Sequence, residues 1–414
     1  MSLFIHKIKE LVFTEKKPIS FYAGKEMANI STLKDAWLFI EEDKISDFGS
    51  MNHIPEAYKN ASKKIDASDR MVFPSYCDSH THLVFPESRE IEYVDKIKGL
   101  SYEEIAKRGG GILNSAKKMT AITEHQLFED AMIRLKEIIH YGTGAVEIKS
   151  GYGLDTENEL KMLRVIKRLN DESPLTIKAT FLGAHAIPLE YKSKPSEYVD
   201  LVINEMIPQV AAEDLADYID VFCDKGFFTP EDTDRILNAG MKYGLRAKIH
   251  ANELDYSGGI QVGVKYNALS VDHLEYTGDA EIEALKNTET MPTILPGAAF
   301  FLNMPYAPVR KMIDAGLPVA LASDFNPGSS PSGNMQLIQA MGSILYKMTP
   351  EEGLYATTIN TAYAMGIEET HGSIAKGKQA NLFITKKIPC IEYMSYSYGD
   401  NKVDVVILNG KIIA

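Results

Sequence analysis

Short apolar runs rich in β-branched residues alternate with amphipathic segments from about residue 71 onward. Each of the eight runs is hydrophobic along most of its length, as expected for strands buried on both faces of a parallel sheet. The runs are MVFPSYCDSH, TGAVEIKSGY, LTIKATFLGAH, YIDVFCDKGF, LRAKIHANE, ALSVDHLEY, TMPTILPG and PVALASDFNPG. Eight strand–helix units over about 300 residues predict an α/β fold with a (β/α)8 TIM-type barrel. A doubly wound open sheet is the alternative, but the count of eight favours closure.

The segments between these runs carry signals for helix starts. Threonine before proline places an N-cap hydroxyl ahead of a residue favoured at the first helical position. Ser or Thr followed three residues later by Glu fits the capping box. These signals are Thr229-Pro230, Thr349-Pro350, Ser101 with Glu104, and Thr156 with Glu159. In segment 157–169, an apolar residue at every third position predicts a helix packed on the sheet; these residues are Leu160, Leu163, Ile166 and Leu169.

The two ends of the chain have a different pattern. Residues 1–70 contain strand-like pieces such as AWLFIEEDKISDFG, and residues 373–414 contain NLFIT and VDVVILNGKIIA. In the last of these, Asn409-Gly410 is a hairpin signal. Because barrel termini lie close together, we expect both ends to form one small β-sandwich domain beside a metal-binding catalytic barrel at residues 71–372.

Composition narrows the possible partners. Of the 414 residues, 45% are hydrophobic, and 44 basic against 57 acidic residues give a net charge of −13. This balance argues against a nucleic acid or an anionic membrane as partner, and an anionic substrate would need local cations to bind. We expect no signal peptide or membrane-spanning run, and the three scattered cysteines, Cys77, Cys223 and Cys390, are typical of a cytoplasmic protein.

Five of the ten histidines follow predicted strands, and in a barrel all these strand ends face one mouth, where such enzymes carry their active sites. They are His80, His82, His185, His250 and His273. His80 and His82 are two residues apart, so on a strand both side chains point to the same face and can bind one metal ion. For this motif alone, two core histidines bonded to backbone carbonyls are the alternative. The further histidines and Asp324, at the end of strand eight, favour a single Zn²⁺ or Fe²⁺ ion.

This arrangement of histidines and aspartate resembles the amidohydrolase superfamily, and the resemblance extends over essentially the whole chain. Six segments resemble the member family that hydrolyses 4-imidazolone-5-propanoate to N-formimidoyl-L-glutamate in histidine degradation. They are DSHTHLVFPESRE, KRGGGI, KSGYGLD, TFLGAHAIP, HANE and ASDFNPGSSP. The resemblance therefore implies an enzyme that opens a lactam ring by cleaving its C–N bond, whereas composition and spacing alone indicate only a metal-dependent hydrolase.

For this reaction we expect the metal ligands to be His80, His82, His250 and Asp324. A bound Zn²⁺ lowers the pKa of water to about 7. Glu253 is our candidate for moving the proton, His273 for hydrogen-bonding the hydroxide or oxyanion, and Asp324 for a second proton-transfer role. The sequence does not rank these three residues, and a helix-start carboxylate is the alternative interpretation of Glu253.

Arg89, seven residues after His82, is the candidate for binding the substrate propionate, because a guanidinium grips a carboxylate through two parallel hydrogen bonds. A surface ion pair with Glu87 or Glu90 is the alternative. The resemblance also implies substrate or product contacts for Tyr152, His185, Glu253, Asn326, Gly328 and Ser329. The glycine triple Gly109–Gly111 predicts a lid edge rather than a phosphate loop, because no Lys-Ser/Thr follows it.

Two other functions stay open. One is a purine or pyrimidine aminohydrolase of the same superfamily, because His250-x-x-Glu253 also resembles the signature of those deaminases. Arg89 and the GYG and GAHA segments favour the imidazolone instead. The other is a non-catalytic scaffold, which is disfavoured because every expected ligand position is filled. The resemblance also implies a homodimer.

Overall fold

The computed structural model describes residues 2–16, 19–100 and 110–413. The strands in these ranges form two eight-stranded sheets. In chain order they are β1 (Ser2–Val12), β2 (Thr32–Glu41), β3 (Lys44–Ser50), β4 (Lys63–Asp66), β5 (Met71–Pro74), β6 (Tyr76–Thr81), β7 (Thr143–Lys149), β8 (Thr176–Ala184), β9 (Tyr218–Cys223), β10 (Arg246–Ala251), β11 (Ser270–His273), β12 (Met291–Ile294), β13 (Ala320–Leu321), β14 (Leu382–Thr385), β15 (Val403–Leu408) and β16 (Lys411–Ile412).

One sheet is the predicted barrel. It runs β13-β12-β11-β10-β9-β8-β7-β6, and its neighbouring strands pair in parallel. Backbone hydrogen bonds join the last strand to the first, from Asp324 N to His80 O and from His82 N to Phe325 O, each 2.9 Å long. The barrel is therefore confirmed and the open sheet is wrong. The same seam places Asp324 beside both histidines of the HxH motif.

Helices connect the strands and pack on the barrel. Those of the described residues are α1 (Glu90–Ile97), α2 (Ile112–Ala121), α3 (Glu124–His140), α4 (Thr156–Glu172), α5 (Pro195–Leu201), α6 (Ile207–Ala212), α7 (Pro230–Met241), α8 (Gly259–Lys265), α9 (Asp279–Leu285), α10 (Pro296–Leu302), α11 (Val309–Asp314), α12 (Met335–Tyr346), α13 (Pro350–Ala356), α14 (Ile359–Ala364) and α15 (Tyr393–Tyr396). None of these helices has the length and apolarity needed to cross a bilayer.

The predicted helix starts are partly confirmed. Thr229 and Thr349 cap α7 and α13 with complete capping boxes. The capping box at Thr156 is wrong: α4 already begins at that residue, so Asp155 is the N-cap and its carboxylate accepts the N–H of Asn158 at 2.9 Å. The pair Ser101 and Glu104 lies outside the described residues. The apolar stripe of α4 is buried as predicted.

Glu159 has a different role from the one predicted. Its carboxylate accepts N–H groups of the preceding loop, from Gly151 at 3.0 Å, Gly153 at 2.7 Å and Leu154 at 3.0 Å. Burial raises the pKa of Glu159 to about 7, and these backbone donors lower it. Glu159 therefore fixes the glycine loop that carries Tyr152.

Both ends of the chain form the second sheet, as predicted, with β14 paired between β5 and β15. The first predicted barrel run is divided, because Met71–Pro74 pairs with β1 and β14 while Tyr76–Thr81 belongs to the barrel. The predicted hairpin is present: Asn409 (φ 50°) and Gly410 (φ 70°) connect β15 to β16, the positive-φ pair that a type I′ turn requires.

Candidate active site and metal centre

A cavity of about 660 Å³ lies at the carboxyl ends of the barrel strands, where (β/α)8 enzymes build their active sites. Eleven of the twelve predicted site residues line it, namely His82, Arg89, Tyr152, His185, His250, Glu253, His273, Asp324, Asn326, Gly328 and Ser329. The twelfth, His80, is fully buried and adjoins His82. The structure thus brings the whole predicted set into one region.

Three imidazole rings converge on one point of this region. Nε2 of His82 lies 3.3 Å from Nε2 of His80 and 3.3 Å from Nε2 of His250. Three nitrogens bound to one ion in a tetrahedral arrangement would be about 3.3 Å apart. The spacing of the three rings therefore fits a shared metal ion.

Asp324 supplies an oxygen beside this cluster. Its Oδ1 lies 3.6 Å from Nε2 of His80 and 3.6 Å from Nε2 of His82. The backbone of Asp324 is in the left-handed region (φ 51°), a strained conformation of the kind found at functional sites. Three nitrogens and one oxygen form a donor set that suits Zn²⁺ or Fe²⁺.

Two buried carboxylates lie behind the imidazoles. Oδ2 of Asp272 pairs with Nδ1 of His80 at 2.7 Å, and Oδ2 of Asp220 lies 3.0 Å from Nδ1 of His250. A carboxylate on Nδ1 fixes the tautomer in which Nε2 carries the lone pair that a metal needs. His80 is thus oriented with Nε2 free to bind an ion, and His250 has a carboxylate beside the corresponding nitrogen.

A fully buried lysine balances these carboxylates. Nζ of Lys149 lies 2.8 Å from Asp220, 3.6 Å from Asp272 and 2.6 Å from Glu147, and Lys248 also pairs with Glu147. Sequence analysis missed this network. The signal was a charged residue inside each otherwise apolar strand, as in GAVEIK, YIDVF, RAKIH and SVDH, because a buried charge requires a partner.

The pKa shifts favour neutral metal ligands. Burial lowers the pKa of His80, His82 and His250, and at His250 the charge of Asp220 opposes this effect. Neutral imidazole is the form that binds a metal. A proton therefore does not compete for these nitrogens near neutral pH.

Two acidic side chains flank His273. Its Nε2 lies 3.7 Å from Oε2 of Glu253, and its Nδ1 lies 3.8 Å from Oε2 of Glu275. Burial lowers the pKa of His273, but Glu253 and Glu275 outweigh it and raise the pKa to about 10. His273 is thus held as a donor on the cavity wall. Sequence analysis missed Glu275, although the acidic residue in DHLEY was a visible signal.

Glu253 is a cavity residue. Burial raises its pKa to about 7, and His273 lowers it. Its backbone N–H donates to Asp224 at 2.6 Å, and the next helix, α8, begins only at Gly259. The alternative of a helix-start carboxylate is therefore wrong.

Arg89 is the N-cap residue of α1, and its side chain is 11% exposed. The alternative surface ion pair is wrong, because Glu87 pairs with Lys118 at 2.6 Å and Glu90 accepts a serine hydroxyl. Nε of Arg89 instead lies 3.5 Å from Oε2 of Glu92. Among the described residues, Nε and Nη1 have no hydrogen-bond partner, so the guanidinium has donors to spare beside the cavity.

Asn326 folds the loop at the end of strand eight. Its Oδ1 accepts the N–H groups of Gly328 and Ser329 at 2.8 Å, and its Nδ2 donates at 2.7 Å to Asp324 O and to Ser329 Oγ. The amide suggested as a substrate donor thus uses its hydrogen-bonding groups within the loop. Gly328 packs on Arg89 so closely that a Cβ would overlap the guanidinium.

His185 and Tyr152 line the cavity beside the histidine cluster. The ring of His185 stacks on His82 at 5.0 Å, and the ring of Tyr152 lies 5.5 Å from His185. Nδ1 of His185 donates to Gly151 O at 2.9 Å, and burial lowers the pKa of this imidazole to about 3. Nε2 of His185 is therefore a hydrogen-bond acceptor.

The glycine triple is only partly described, because Gly109 lies outside the described residues. Gly110 is buried, and the N–H of Gly111 donates to Glu92 at 3.0 Å. This bond links the glycine segment to the carboxylate that pairs with Arg89. The expected lid edge stays a prediction.

Comparisons with known proteins show the family of the chain. The amidohydrolase family model matches residues 71–413. Imidazolonepropionases from Christiangramia forsetii and Flavobacterium johnsoniae are each 55% identical over 413 residues, which is 100% of both chains. The imidazolonepropionase of Thermoanaerobacter pseudethanolicus is 44% identical over 384 residues, 93% of this chain and 91% of the relative.

Solved structures share the fold. Guanine deaminase from C. acetobutylicum with bound guanine gives a TM-score of 0.72 at 16% identity and covers 100% of both chains. A mutant of atrazine chlorohydrolase from Arthrobacter aurescens complexed with zinc and atraton gives 0.71 at 14% identity, covering 99% of this chain and 94% of the other.

The closed barrel, the convergent imidazoles and the family match define the class of protein: the chain belongs to the amidohydrolase family. Family membership and the histidine cluster together indicate a divalent metal. Within that family, full-length identity places the chain among the imidazolonepropionases, as the sequence motifs predicted.

Proposed function

We propose that this chain hydrolyses the lactam C–N bond of 4-imidazolone-5-propanoate and releases N-formimidoyl-L-glutamate, a step of histidine degradation. One observation carries the proposal: a single cavity holds both a convergent imidazole cluster and a half-buried guanidinium with two donors that make no hydrogen bond within the described residues. A substrate with a lactam and a carboxylate needs both features. The 55% identity to imidazolonepropionases supports the same choice.

His80, His82, His250 and Asp324 would hold one divalent ion per chain. We propose Zn²⁺ or Fe²⁺, since imidazole and carboxylate ligands suit both. When bound, such an ion lowers the pKa of water to about 7 and polarises a carbonyl.

Glu253 would take the proton of the attacking water and return it to the departing ring nitrogen. We choose Glu253 as the primary base because Asp324 would also hold the ion, and because Glu253 and Glu275 raise the pKa of His273 and favour its protonated form. A pKa of about 7 suits this task, since it permits both loss and gain of a proton near neutral pH. Asp324 would assist as a second proton acceptor.

His273 would donate a hydrogen bond to the carbonyl oxygen as it gains negative charge, because Glu253 and Glu275 keep its ring protonated. When the C–N bond breaks, the carbonyl carbon becomes a carboxylate and the nitrogen leaves with the proton from Glu253. One water and one lactam are consumed for each ring-opened product.

The remaining predicted residues would bind the substrate. Arg89 would hold the propionate through Nε and Nη1, which donate no hydrogen bond to any of the described residues. His185, an acceptor at Nε2, would take a ring N–H, with Tyr152 packed beside it. Gly328 and Ser329 would border the carboxylate end, positioned by Asn326.

The test is an assay of purified, metal-analysed protein with freshly prepared 4-imidazolone-5-propanoate. We expect loss of the ring chromophore with equal formation of N-formimidoyl-L-glutamate. Chelation should abolish turnover, and Zn²⁺ or Fe²⁺ should restore it. No turnover by metal-loaded protein would reject the proposal.

A deaminase is the second candidate, favoured by Glu253 lying 3.7 Å from His273 in the cavity, where a carboxylate could protonate a ring nitrogen. Ammonia release from guanine or cytosine, without turnover of the imidazolone, would favour it. Substoichiometric metal with neither activity would favour the non-catalytic scaffold.

We also propose a cytoplasmic homodimer that binds neither nucleic acid nor membrane. The net charge of −13 supports the last point, and the three free cysteines suit a reducing compartment. Light scattering during size-exclusion chromatography tests the dimer.

A further inference from the structure

Helix α1 lies at the cavity and presents one face to it. Arg89, Tyr93 and Lys96 line the cavity, whereas Ile91 on the same helix is 71% exposed. Arg89 and Lys96 are seven residues apart, which places them two helical turns apart on the same face. Both cations therefore belong to the cavity side of this helix.

The charged ends of these two side chains meet at Gly328. Nζ of Lys96 donates to Gly328 O at 3.1 Å. The guanidinium of Arg89 packs on the Cα of the same residue, with no room for a Cβ. Two positive charges are thus brought to one backbone segment at the edge of the cavity.

A carboxylate lies beside the first of these cations. Glu92 lies 3.5 Å from Nε of Arg89, and it also accepts hydrogen bonds from Gly111 N at 3.0 Å and Asn114 Nδ2 at 3.2 Å. Among the described residues, Lys96 has no ion pair with a carboxylate, and Gly328 O takes only one of its three ammonium protons. In a chain of net charge −13, this local excess of positive charge favours an anion.

We propose that Lys96 is a second cation for the substrate carboxylate and, with Arg89, selects substrates that carry an anionic arm. This inference rests on the proposed function. The planar guanidinium binds two carboxylate oxygens side by side, and the ammonium binds a remaining lone pair as a point charge. The carboxylate would thus lie between two cations whose positions are set by one helix and one loop.

A purely structural role for Lys96 makes a different prediction. As a tether, it needs only to donate to Gly328 O, and a neutral glutamine donor could replace it. As a cation for the substrate, it needs its charge. Lys96→Gln, Lys96→Met and Lys96→Arg therefore separate the two roles, and Lys98→Met removes a charge from the exposed end of the same helix as the matched control.

The experiment measures KM for 4-imidazolone-5-propanoate, and by calorimetry the Kd of two non-hydrolysable probes, 3-(imidazol-4-yl)propanoate and its neutral carboxamide. We expect Lys96→Met and Lys96→Gln to weaken binding of the acid by about tenfold to hundredfold, as for loss of a charge-assisted hydrogen bond. Lys96→Arg should retain most of the affinity. Carboxamide binding should not change, and Lys98→Met should match the wild type.

Three results would overturn the proposal: wild-type affinity in Lys96→Met, rescue by Lys96→Gln, or equal losses for the acid and the carboxamide. Turnover by the wild type in the same assay tests the proposed function separately from the role of Lys96. If the wild type turns over the imidazolone and Lys96→Met does so with an unchanged KM, only this inference fails. If the wild type shows no turnover, the probe affinities still decide whether the carboxylate subsite exists.

Discussion

Two regions of the active site differ in how their charges are paired. The floor consists of Lys149 and the carboxylates around it, and the rim consists of Arg89, Lys96 and Gly328. Beneath the metal histidines, the fully buried Lys149 has carboxylates at 2.6, 2.8 and 3.6 Å. At the rim, Arg89 lies 3.5 Å from Glu92, and among the described residues Lys96 has no ion pair with a carboxylate. The floor is a balanced network that needs no ligand, whereas the rim has positive charge to spare.

This difference indicates that the floor holds the geometry of the metal site, whereas the rim binds the substrate. Buried charges that are fully paired hold a fixed geometry, because losing one partner leaves the other uncompensated. Cations with spare donors beside a cavity instead gain a partner when an anion binds. We therefore expect changes to the floor to alter metal binding and changes to the rim to alter substrate affinity.

The largest effect should come from His82→Ala, which removes the nitrogen that lies 3.3 Å from Nε2 of both His80 and His250. We expect loss of bound metal and of all measurable turnover, because the His82 nitrogen lies between the nitrogens of the other two histidines. Elemental analysis and the imidazolone assay check this. The exposed His125→Ala is the control and should keep both properties. Full metal content in His82→Ala would show that the ion lies elsewhere.

The next largest effect should come from Glu253→Gln. The amide keeps the shape of the side chain but cannot accept and return a proton, so we expect kcat to fall by about 10²- to 10⁴-fold with metal content unchanged. Steady-state kinetics beside metal analysis separates the two quantities. A kcat equal to that of the wild type would remove Glu253 from proton transfer.

Asp272→Asn should weaken metal binding by about tenfold to hundredfold, because the carboxylate that orients His80 loses its charge. A competition titration with a chromophoric chelator measures the metal Kd. Asp279→Asn, at a side chain that is 84% exposed, is the control. An unchanged Kd in Asp272→Asn would mean that the network does not prepare the ligands.

The smallest effect belongs to the rim. Gly328→Ala places a Cβ where the Arg89 guanidinium lies. We expect KM to rise by about tenfold, because a displaced guanidinium loses part of a charge-assisted hydrogen bond to the substrate. Metal content should stay unchanged. Arg89→Ala should raise KM in the same way. Gly399→Ala, with open space around its Cα, is the control. If Gly328→Ala keeps the wild-type KM, the contact is not needed for substrate binding.

Much of the floor could be predicted from sequence. Strands buried on both faces leave continuous apolar runs, and the two-residue spacing of His80 and His82 places both on one face of a strand. The carboxylates Asp220 and Asp272 escaped notice although each places a charge inside an apolar run. The sequence marks such a charge but not its partner, which lies on another strand.

The rim was harder to predict because it depends on where α1 begins. With Arg89 at the N-cap, Glu92 lies one turn on and Lys96 two turns on, so these residues share a face. Sequence analysis tested Glu87 and Glu90, the acidic neighbours closest along the chain. The error at Thr156 has the same origin, since a shift of one residue in the helix start changes which side chain is the cap.

Anomalous diffraction at the metal absorption edge, from crystals grown with 3-(imidazol-4-yl)propanoate, would locate the ion and the carboxylate subsite in one experiment. We expect one strong peak per chain within bonding distance of Nε2 of His80, His82 and His250, with the probe carboxylate beside Arg89. A peak elsewhere, or none in catalytically active protein, would show that these three histidines do not hold the ion.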